Sequence, residues 1–291
     1  MKLIIDAMGG DNAPLEIVKG ALSGQKRWGV DVTLTGDTTA ILQALEACGE
    51  KTLPQGMEIV HTTETVEMCD DPATVFRRKK DTSMGVGLTM LRDGRADAMV
   101  SAGSTGALLT GATLIVKRIR GIRRAAMAPV IPTTTGQAVL IDCGANAECT
   151  PEYLVQFAYL GSYYAHRVLG VERPRVGLLN IGTEDSKGTD LQKETLRWLR
   201  EAHTAGHLNF IGNIEAKEAI KGGCDVIVCD GFSGNVLLKT MEGVGSFAGS
   251  ALKAMFKKNL LTKLAALCVM PGLNAFKAKL DPNKVGGTAF I

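Results

Sequence analysis

The sequence predicts an α/β fold with a mostly parallel sheet, and three observations carry that prediction. Short apolar runs alternate with stretches of helical periodicity, which is the pattern of repeated strand–helix units. Glycine is abundant at 34 residues, whereas aromatic residues make up only 5% of the chain. Abundant glycine suits tight turns between strands and helices. A chain of 291 residues can form one large α/β domain or two lobes, and we expect a single domain over 1–291.

Each element follows from a local pattern. Apolar runs bounded by polar or glycine residues predict strands at 3–6, 30–35, 57–61, 98–100, 138–142, 176–179, 209–212 and 226–230. Helix patterns begin after Pro14, at 38–47, after Asp71-Pro72, at 107–116, at Thr150-Pro151, at Thr189 and after Asn235. Thr189 and Gln192 form a capping-box pair, which predicts a helix that extends to about His203.

Five polar or glycine-bearing loops follow predicted strands. They come directly after Asp6, Val100, Asp142, Leu179 and Asp230. Ligands of parallel α/β sheets bind outside the carboxyl ends of the strands, so the loops would share one edge if their strands share one sheet. Taken singly, each loop also fits an ordinary solvated turn. Their convergence is the observation that indicates a site.

Two of these loops have the chemistry of an anion site. The loop at 180–194 ends in a helix start, which offers free backbone N–H groups, and it contains Lys187 and Lys193. The loop at 101–106 is rich in small residues and hydroxyls, which can donate to phosphate oxygens. It does not match the P-loop pattern.

Composition and motifs argue against several other classes of function. The net charge of +3 is too small to indicate nucleic acid as a partner. We expect no cofactor; no G-x-G-x-x-G pattern follows a strand, which argues against a nicotinamide-binding unit. The segment 231–234 is not a nucleophile elbow. His203 and His207 have no evident third ligand, so we expect no metal.

Cysteine usage and hydropathy indicate the compartment. Seven cysteines without a C-x-x-C pair, and an opening segment unlike a signal peptide, are typical of reduced thiols in the cytoplasm. The longest uncharged run, 98–116, contains many Gly, Ser and Thr residues and is not expected to span a membrane.

The sequence contains three basic segments, and two of them allow more than one interpretation. Arg77-Arg78-Lys79-Lys80 is either a solvated face or a docking patch for an acidic partner. A second basic cluster lies at 117–124. The segment 251–276 combines leucines with lysines and contains no acid, which predicts an amphipathic helical hairpin. That hairpin suits an anionic membrane surface, or a dimer interface with snorkelling lysines.

These motifs together closely resemble the bacterial phosphate acyltransferase family of phospholipid synthesis, over essentially the whole chain. The matching segments are 6–11, 77–81, 101–106, 142–146, 180–194 and 230–235. The resemblance implies a three-layer α/β/α fold similar to isopropylmalate dehydrogenase and phosphotransacetylase. It implies conversion of acyl-[acyl carrier protein] and inorganic phosphate to acyl phosphate. It also implies a cytoplasmic homodimer, peripherally associated with the membrane, whose product passes to a membrane glycerol-3-phosphate acyltransferase.

On this resemblance, the site residues receive roles in the reaction. Substrate binding is expected of Asp6, Gly9, Gly10, Asp11, Ser101, Gly103, Ser104, Thr105, Asn180, Thr183, Lys193 and Ser233. Ser101, Ser104, Thr105 and the backbone near Gly9 and Gly10 would cradle phosphate. Arg77, Arg78, Lys79 and Lys80 would hold the acidic carrier protein. The catalytic residues expected are Lys187, which would stabilise developing charge, Asn146 and Asn235 as orienting donors, and Asp230.

Two rival functions remain open from the sequence. One is a dehydrogenase of the same fold class that acts on a phosphorylated hydroxy acid and requires a metal. The other is a membrane-surface scaffold built on an inactive enzyme fold. Members of the family are expected to continue past Gly286-Gly287-Thr288 through a further strand and helix. The site residues predicted above include none from that region.

Overall fold

The computed structural model describes residues 1–259, 261–262, 265–266, 269–272 and 287–290. The chain divides into two compact units, Met1–Arg120 and Gly121–Phe290, where we expected a single domain. Each unit has its own sheet.

The first unit contains four parallel strands in the order β3-β2-β1-β4. Its elements are β1 Lys2–Asp6, α1 Leu15–Trp28, β2 Asp31–Gly36, α2 Thr38–Ala47, β3 Met57–His61, α3 Val75–Arg78, α4 Ser83–Arg92, β4 Ala98–Val100, α5 Thr105–Gly111 and a π-helical segment Ala112–Val116.

Helices cover both faces of this sheet because successive side chains of a strand point to opposite faces. Leu3 and Ile5 of β1 pack into an apolar cluster with residues of α1 and α2. Ile4 points to the other face, where Gly87 of α4 approaches so closely that a Cβ would lie 3.1 Å from Ile4 Cγ2. The first unit therefore has three layers.

The second unit contains a sheet in the order β10-β5-β6-β9-β7-β8, in which β6, β9, β7 and β8 are parallel and β5 runs antiparallel to both its neighbours. Its elements are β5 Ala126–Pro132, β6 Gln137–Ile141, α6 Pro151–Val168, β7 Arg175–Leu179, α7 Asp190–Thr204, β8 Asn209–Ile214, α8 Ala216–Ile220, β9 Val226–Val228, α9 Gly231–Lys257 and β10 Gly287–Phe290.

This second sheet is also covered on both faces. Phe157 of α6 and Leu199 of α7 are fully buried in one apolar cluster with strand residues. Ala219 of α8 and Leu238 of α9 belong to a different cluster on alternate strand residues. The predicted α/β class with a mostly parallel sheet is therefore confirmed.

The expectation that all five loops share one sheet edge was wrong. The strands that end at Asp6 and Val100 belong to the first sheet, and those before Asp142, Asn180 and Asp230 belong to the second. Periodicity identifies a strand, but the choice of pairing partner depends on contacts between segments far apart in the chain. The loops therefore form one pair and one group of three.

Some elements differ from the sequence-based expectation. Helix α4 was not predicted, because its interior glycines lower helix propensity. Gly87 allows close packing there, since a Cβ would lie 2.8 Å from Met99 Cε and displace the Met99 side chain. The proline-bounded segment 128–132, to which we assigned no element, belongs to β5. The helix expected at 107–116 is α-helical only as far as Gly111.

The hairpin expected over 251–276 lies only partly within the described residues, because positions 260, 263–264, 267–268 and 273–276 fall outside them. Its first part, 251–257, forms the last turns of α9. No helix among the residues that the structure describes is long and apolar enough to cross a membrane.

Candidate active site

Two loops of the first unit meet where the strand order reverses. Strand β2 lies on one side of β1 and β4 on the other, and ligands of open α/β sheets bind at such a switch point. The Asp6 carboxyl is 1% exposed and accepts from the Ser101 hydroxyl (Oδ2–Oγ 2.7 Å) and from the Met8 amide (Oδ1–N 3.3 Å). Ser101 Oγ accepts from the Gly103 amide at 3.1 Å. Asp6 therefore fastens one loop to the other.

Gly9 is the point of closest approach between these loops. A Cβ at Gly9 would lie 2.6 Å from Asp6 Oδ2 and 2.9 Å from both Gly103 N and Ser101 Oγ. Gly10 has a φ of +107°, a left-handed conformation that favours glycine. The amides of Gly9 and Gly10 donate to no acceptor within the described ranges. Free amides beside hydroxyls form a concavity that suits an anion.

The other candidates of these two loops take different positions. Ser104 is buried, and its Oγ accepts from the Ala107 amide at 3.4 Å at the start of α5. Thr105 and Asp11 are exposed. Asp6, Gly9, Gly103 and Ser104 are thus fixed by the fold, whereas the Thr105 side chain is accessible to a ligand.

The four consecutive cations at 77–80 are not equivalent. Lys79 Nζ lies 2.6 Å from Asp70 Oδ2 and donates to the Thr65 carbonyl at 2.9 Å. Lys79 therefore holds its own loop in place, and the Lys79 hydrogen bond is the main reason that the pKa of Asp70 lies below its ordinary value. Arg77, Arg78 and Lys80 are exposed.

Asp142 organises the loop after β6 in the second unit. It is fully buried, and its carboxyl accepts from the amides of Met127, Cys143, Ala145 and Asn146 at 2.7–3.3 Å and from Asn146 Nδ2 at 2.9 Å. Burial raises the pKa of Asp142, and the hydrogen bonds from Met127, Asn146 and Cys143 oppose that rise. The buried carboxyl therefore holds the loop after β6 in place.

Asn146 helps to hold the same loop in place. Its side-chain amide donates to the Ala125 carbonyl at 2.8 Å as well as to Asp142. Both amide hydrogens are thus engaged within the protein, which leaves none for the orienting donation that the sequence suggested. The Asn146 carbonyl accepts from the Gly231 amide at 2.8 Å, and a Cβ at Gly231 would lie 2.6 Å from that oxygen. The loop after β6 is therefore joined to the start of α9.

Asp230 begins helix α9. Its Oδ1 accepts from the Ser233 amide at 2.8 Å, and its Oδ2 accepts from the Ser233 hydroxyl at 2.9 Å. Such contacts satisfy donors that a helix N-terminus leaves without partners. Asn235 lies one turn further on and is exposed, and a Cβ at Gly144 would lie 3.8 Å from its side chain.

The loop after β7 folds back on itself. Asn180 Nδ2 donates to the Lys187 carbonyl at 3.1 Å, while Asn180 Oδ1 accepts from the Ile181 amide at 2.8 Å. Gly188, at a φ of +85°, fits against Asn180, since a Cβ would lie 2.7 Å from Asn180 Oδ1. Asn213 Nδ2 donates to the Glu184 carbonyl at 3.1 Å. Two asparagines thus hold the loop that carries Lys187.

Lys187 is exposed and packs its aliphatic stem over Gly182, where a Cβ would lie 3.0 Å from Lys187 Cγ. No acidic side chain pairs with Lys187 in the part of the chain that the structure describes. Thr183 is exposed on the same loop. Lys193 lies on α7 and lines an open groove with Arg197 and Leu196. The predicted capping box of Thr189 and Gln192 is confirmed.

The two cysteines of the loop after β6 have raised pKa values. Burial, together with the negative charge of Asp142, raises the pKa of Cys143 to about 11. Burial raises the pKa of Cys149 to about 12. Both are thiols at neutral pH, and the thiolate is the nucleophilic form. No group of three or more His, Cys, Asp or Glu side chains within the described residues could hold a metal ion. His203 Nδ1 accepts from the Phe210 amide at 3.1 Å.

Sequence reasoning gave no separate role to two residues that shape the site, Asp142 and Asn213. Asp142 carries a signal in the sequence, because it ends an apolar strand and precedes a glycine-bearing turn. Asn213 lies within a strand, and nothing in its neighbourhood along the chain predicts a contact with Glu184.

The whole chain, residues 1–291, matches a family described as fatty acid synthesis protein. It is 46% identical to the phosphate acyltransferase of Alkaliphilus oremlandii over 291 residues, which is 100% of this chain and 85% of that protein. It is 45% identical to the phosphate acyltransferase of Brevibacillus brevis over 293 residues, again 100% of this chain and 85% of that protein.

Solved structures show a likeness of fold. A phosphotransacetylase from Streptococcus pyogenes matches with a TM-score of 0.64 at 19% identity, over 84% of this chain and 82% of that one. A branched-chain phosphotransacylase from Enterococcus faecalis matches with a TM-score of 0.54 at 17% identity, over 83% and 84% of the two chains.

Proposed function

This chain belongs to the fatty acid synthesis protein family that includes the phosphate acyltransferases, and we propose from that premise that its reaction joins inorganic phosphate to the acyl group of acyl-[acyl carrier protein]. The chain is an acyltransferase of fatty acid and phospholipid synthesis. The products of the proposed reaction are acyl phosphate and the free carrier thiol. The acyl phosphate would then serve a membrane glycerol-3-phosphate acyltransferase.

The reaction is an acyl transfer in which phosphate itself is the nucleophile. An oxygen of hydrogen phosphate attacks the thioester carbonyl, a C–O bond forms, the C–S bond breaks, and the phosphate proton passes to the departing sulfur. The protein must hold two reactants together and stabilise the oxyanion of the tetrahedral intermediate. A nucleophilic side chain is not needed. The raised thiol pKa values of Cys143 and Cys149 agree with that requirement.

The observation that carries the phosphate site is the junction of the two loops of the first unit. Gly9 and Gly103 approach within van der Waals contact, the Gly9 and Gly10 amides are available, and Ser101 is held by Asp6. We assign phosphate binding to those amides and to the hydroxyls of Ser104 and Thr105, because Ser101 donates its one hydroxyl hydrogen to Asp6 and so holds the loop in place. Asp6 acts by positioning Ser101, because a buried carboxylate would repel the anion at direct contact.

The second unit supplies the electrostatic part of the proposal. Lys187 carries a charge with no ion-pair partner among the described residues, and its loop is held by Asn180 and Asn213. We assign to Lys187 the stabilisation of charge that develops in the transition state. Asn235 is the orienting donor. Asn146 and Asp230, whose polar atoms are engaged within the protein, hold the loops in place.

We assign binding of the acidic carrier protein to the exposed cations Arg77, Arg78 and Lys80. Clustered charge accelerates encounter with a partner of opposite sign. Lys79 forms an ion pair with Asp70 and so holds in place the segment that carries these cations.

We also propose homodimer formation and peripheral contact with the membrane, both supported by helix α9. Its first turns pack on the core through Leu237, Leu238 and Met241. A different side of the helix exposes large apolar side chains: Phe232 by 68%, Val236 by 50%, Val244 by 60%, Phe247 by 74% and Met255 by 52%. Exposed apolar area of this extent marks an interaction surface. The basic segment that follows α9 suits an anionic lipid surface.

The decisive experiment measures thiol release from palmitoyl-[acyl carrier protein] with and without phosphate, with hydroxylamine present to trap acyl phosphate. Phosphate-dependent release together with hydroxamate would support the reaction. Release without phosphate would indicate a thioesterase instead. Absence of release, with binding to vesicles, would favour the scaffold, and a change in nicotinamide absorbance with a phosphorylated hydroxy acid would favour the dehydrogenase.

A further inference from the structure

A second basic segment of the first unit, Lys117–Arg120, has no role in the reaction proposed above. It follows the π-helical segment and contains three cations around Ile119. No acidic residue occurs in the sequence from Ala98 to Ile141. Lys117 and Arg120 therefore have no acidic residue in their own stretch of chain.

Large apolar side chains are exposed among these charges. Leu114 is 56% exposed and Ile119 is 57% exposed. Lys117 and Arg120 are exposed beside them. Surfaces that contact other proteins commonly combine apolar side chains with charged ones.

The helical stretch that leads into this segment packs against the helix that carries Arg77 and Arg78. A Cβ at Gly111 of α5 would lie 2.6 Å from Phe76 Cε2 of α3. Phe76 shares one apolar cluster with Ile115 and Val116, which lead directly into Lys117. The two basic segments therefore flank one apolar cluster of the first unit.

The distance from the phosphate loop suits a carrier-bound substrate. The residues from Thr105 to Val116 form α5 and the π-helical segment. A helical rise of about 1.5 Å per residue places Lys117 on the order of 15–20 Å along the chain axis from the Ser101–Ser104 loop. A carrier that presents its thioester on a long flexible arm must dock away from the reacting atoms.

We propose that the surface formed by Leu114, Lys117, Ile119 and Arg120 is a docking site for the acidic acyl carrier protein. This inference rests on the proposed function, because it takes the carrier as the acyl donor. The positive charge is complementary to an acidic protein, which speeds association and sets orientation. An anionic membrane is the less suitable occupant, since two apolar side chains provide little area for insertion.

The test compares two double variants that change net charge equally. Lys117→Glu with Arg120→Glu reverses the charge of the docking surface. Lys26→Glu with Lys51→Glu is the matched control, because both lysines are exposed on the same unit and neither forms an ion pair within the described part of the chain. For each, kcat and KM are measured with acyl-[acyl carrier protein] and with an acyl-pantetheine thioester that lacks the carrier. Binding of the holo carrier without an acyl group is measured in parallel by fluorescence anisotropy.

We expect the docking-surface variant to raise KM for the acyl carrier roughly tenfold or more at low salt, with unchanged kinetics on acyl-pantetheine. The control variant should match the parent on both substrates. Ile119→Ser should weaken carrier binding without altering the net charge. Equal carrier affinity of the docking-surface variant and the control would overturn the proposal.

Failure of the proposed function gives a different result. Absence of turnover on both thioesters would refute the function, while the anisotropy measurement still decides the docking site. Loss of binding to vesicles that contain anionic phospholipid, with carrier affinity retained, would assign the surface to the membrane and refute the carrier.

Discussion

At the scale of single residues, close backbone approach shapes the candidate phosphate site more than any charged group does. Gly9 has no unusual φ, so its requirement is purely steric. Asp6 and Ser101 are oriented by each other, and neither could be moved without releasing the loop after β1 or the loop after β4. Residue identity is therefore restricted by the space between the loops.

Gly9→Ala should disrupt this junction. The new Cβ would lie 2.6 Å from Asp6 Oδ2 and 2.9 Å from the backbone nitrogen of Gly103, so a loop must move. We expect the free energy of unfolding to fall by about 1–3 kcal/mol and KM for phosphate to rise. Gly20→Ala is the control, because nothing lies within 4 Å of its Cβ position on helix α1. Chemical denaturation and steady-state kinetics check both, and an unchanged KM for phosphate in Gly9→Ala would contradict the assignment.

Lys187→Ala tests the electrostatic role. Loss of one group that stabilises an oxyanion typically lowers kcat by about a hundredfold or more, and we expect that loss with little change in thermal stability because Lys187 is exposed. Lys217→Ala, another exposed lysine of the second unit, should leave turnover unchanged. Near-normal turnover of Lys187→Ala, measured by hydroxamate formation, would remove Lys187 from the site.

At the scale of secondary-structure elements, an ion pair holds together the starts of two strands of the second sheet. Arg175, at the start of β7, binds Asp225, just before β9, through Nη2–Oδ1 and Nε–Oδ2 contacts of 2.9 and 3.0 Å. The Arg175 amide donates to the same carboxylate at 2.8 Å. Burial alone would raise the pKa of Asp225, but the hydrogen bonds from Arg175 lower it below its ordinary value.

Asp225→Asn should therefore have a pH-dependent effect on stability. A carboxyl whose pKa is lower in the folded than in the unfolded protein stabilises the fold above the unfolded pKa, and that contribution is lost as pH falls through the folded pKa. We expect a loss of about 1–2 kcal/mol at neutral pH, allowing for solvent around the half-exposed Arg175. The difference between variant and parent should shrink below about pH 4. Urea unfolding across this range measures it, and a pH-independent difference would exclude the ionic contribution.

At the scale of the whole molecule, the two compact units divide the proposed tasks. The phosphate loops and the basic surfaces belong to the first unit, and Lys187 and helix α9 belong to the second. Helix α9 has two apolar sides, one of which packs on the core while the other is exposed.

Phe247→Glu tests the role of that exposed side. A charge at a position that is 74% exposed should leave the folded chain intact but prevent burial of the apolar face. We expect a shift from dimer to monomer in analytical ultracentrifugation. Ser246→Glu introduces the same charge at the adjacent exposed position and should preserve the dimer. Equal dimerisation of the two variants would assign the apolar face to another contact, and vesicle flotation would show whether that contact is lipid.

The sequence by itself determined most of the strands and helices, although it missed α4 and β5, and it identified the loops that the candidate site uses. Apolar runs and the Thr189–Gln192 capping box are local signals, encoded within a few residues, and they persist in the structure. Long motifs such as 101–106 and 180–194 were sufficient for the family, because many positions must agree together.

Only the tertiary structure decided how these loops are distributed and which of their side chains are available. Strand pairing divides them between two sheets, and contacts with other segments of the chain engage Asn146 and Lys79 inside the protein. Such contacts join groups far apart along the chain, so no local pattern records them. The same side chain can bind a ligand or brace a loop, and that choice depends on which neighbours the fold brings within hydrogen-bonding distance.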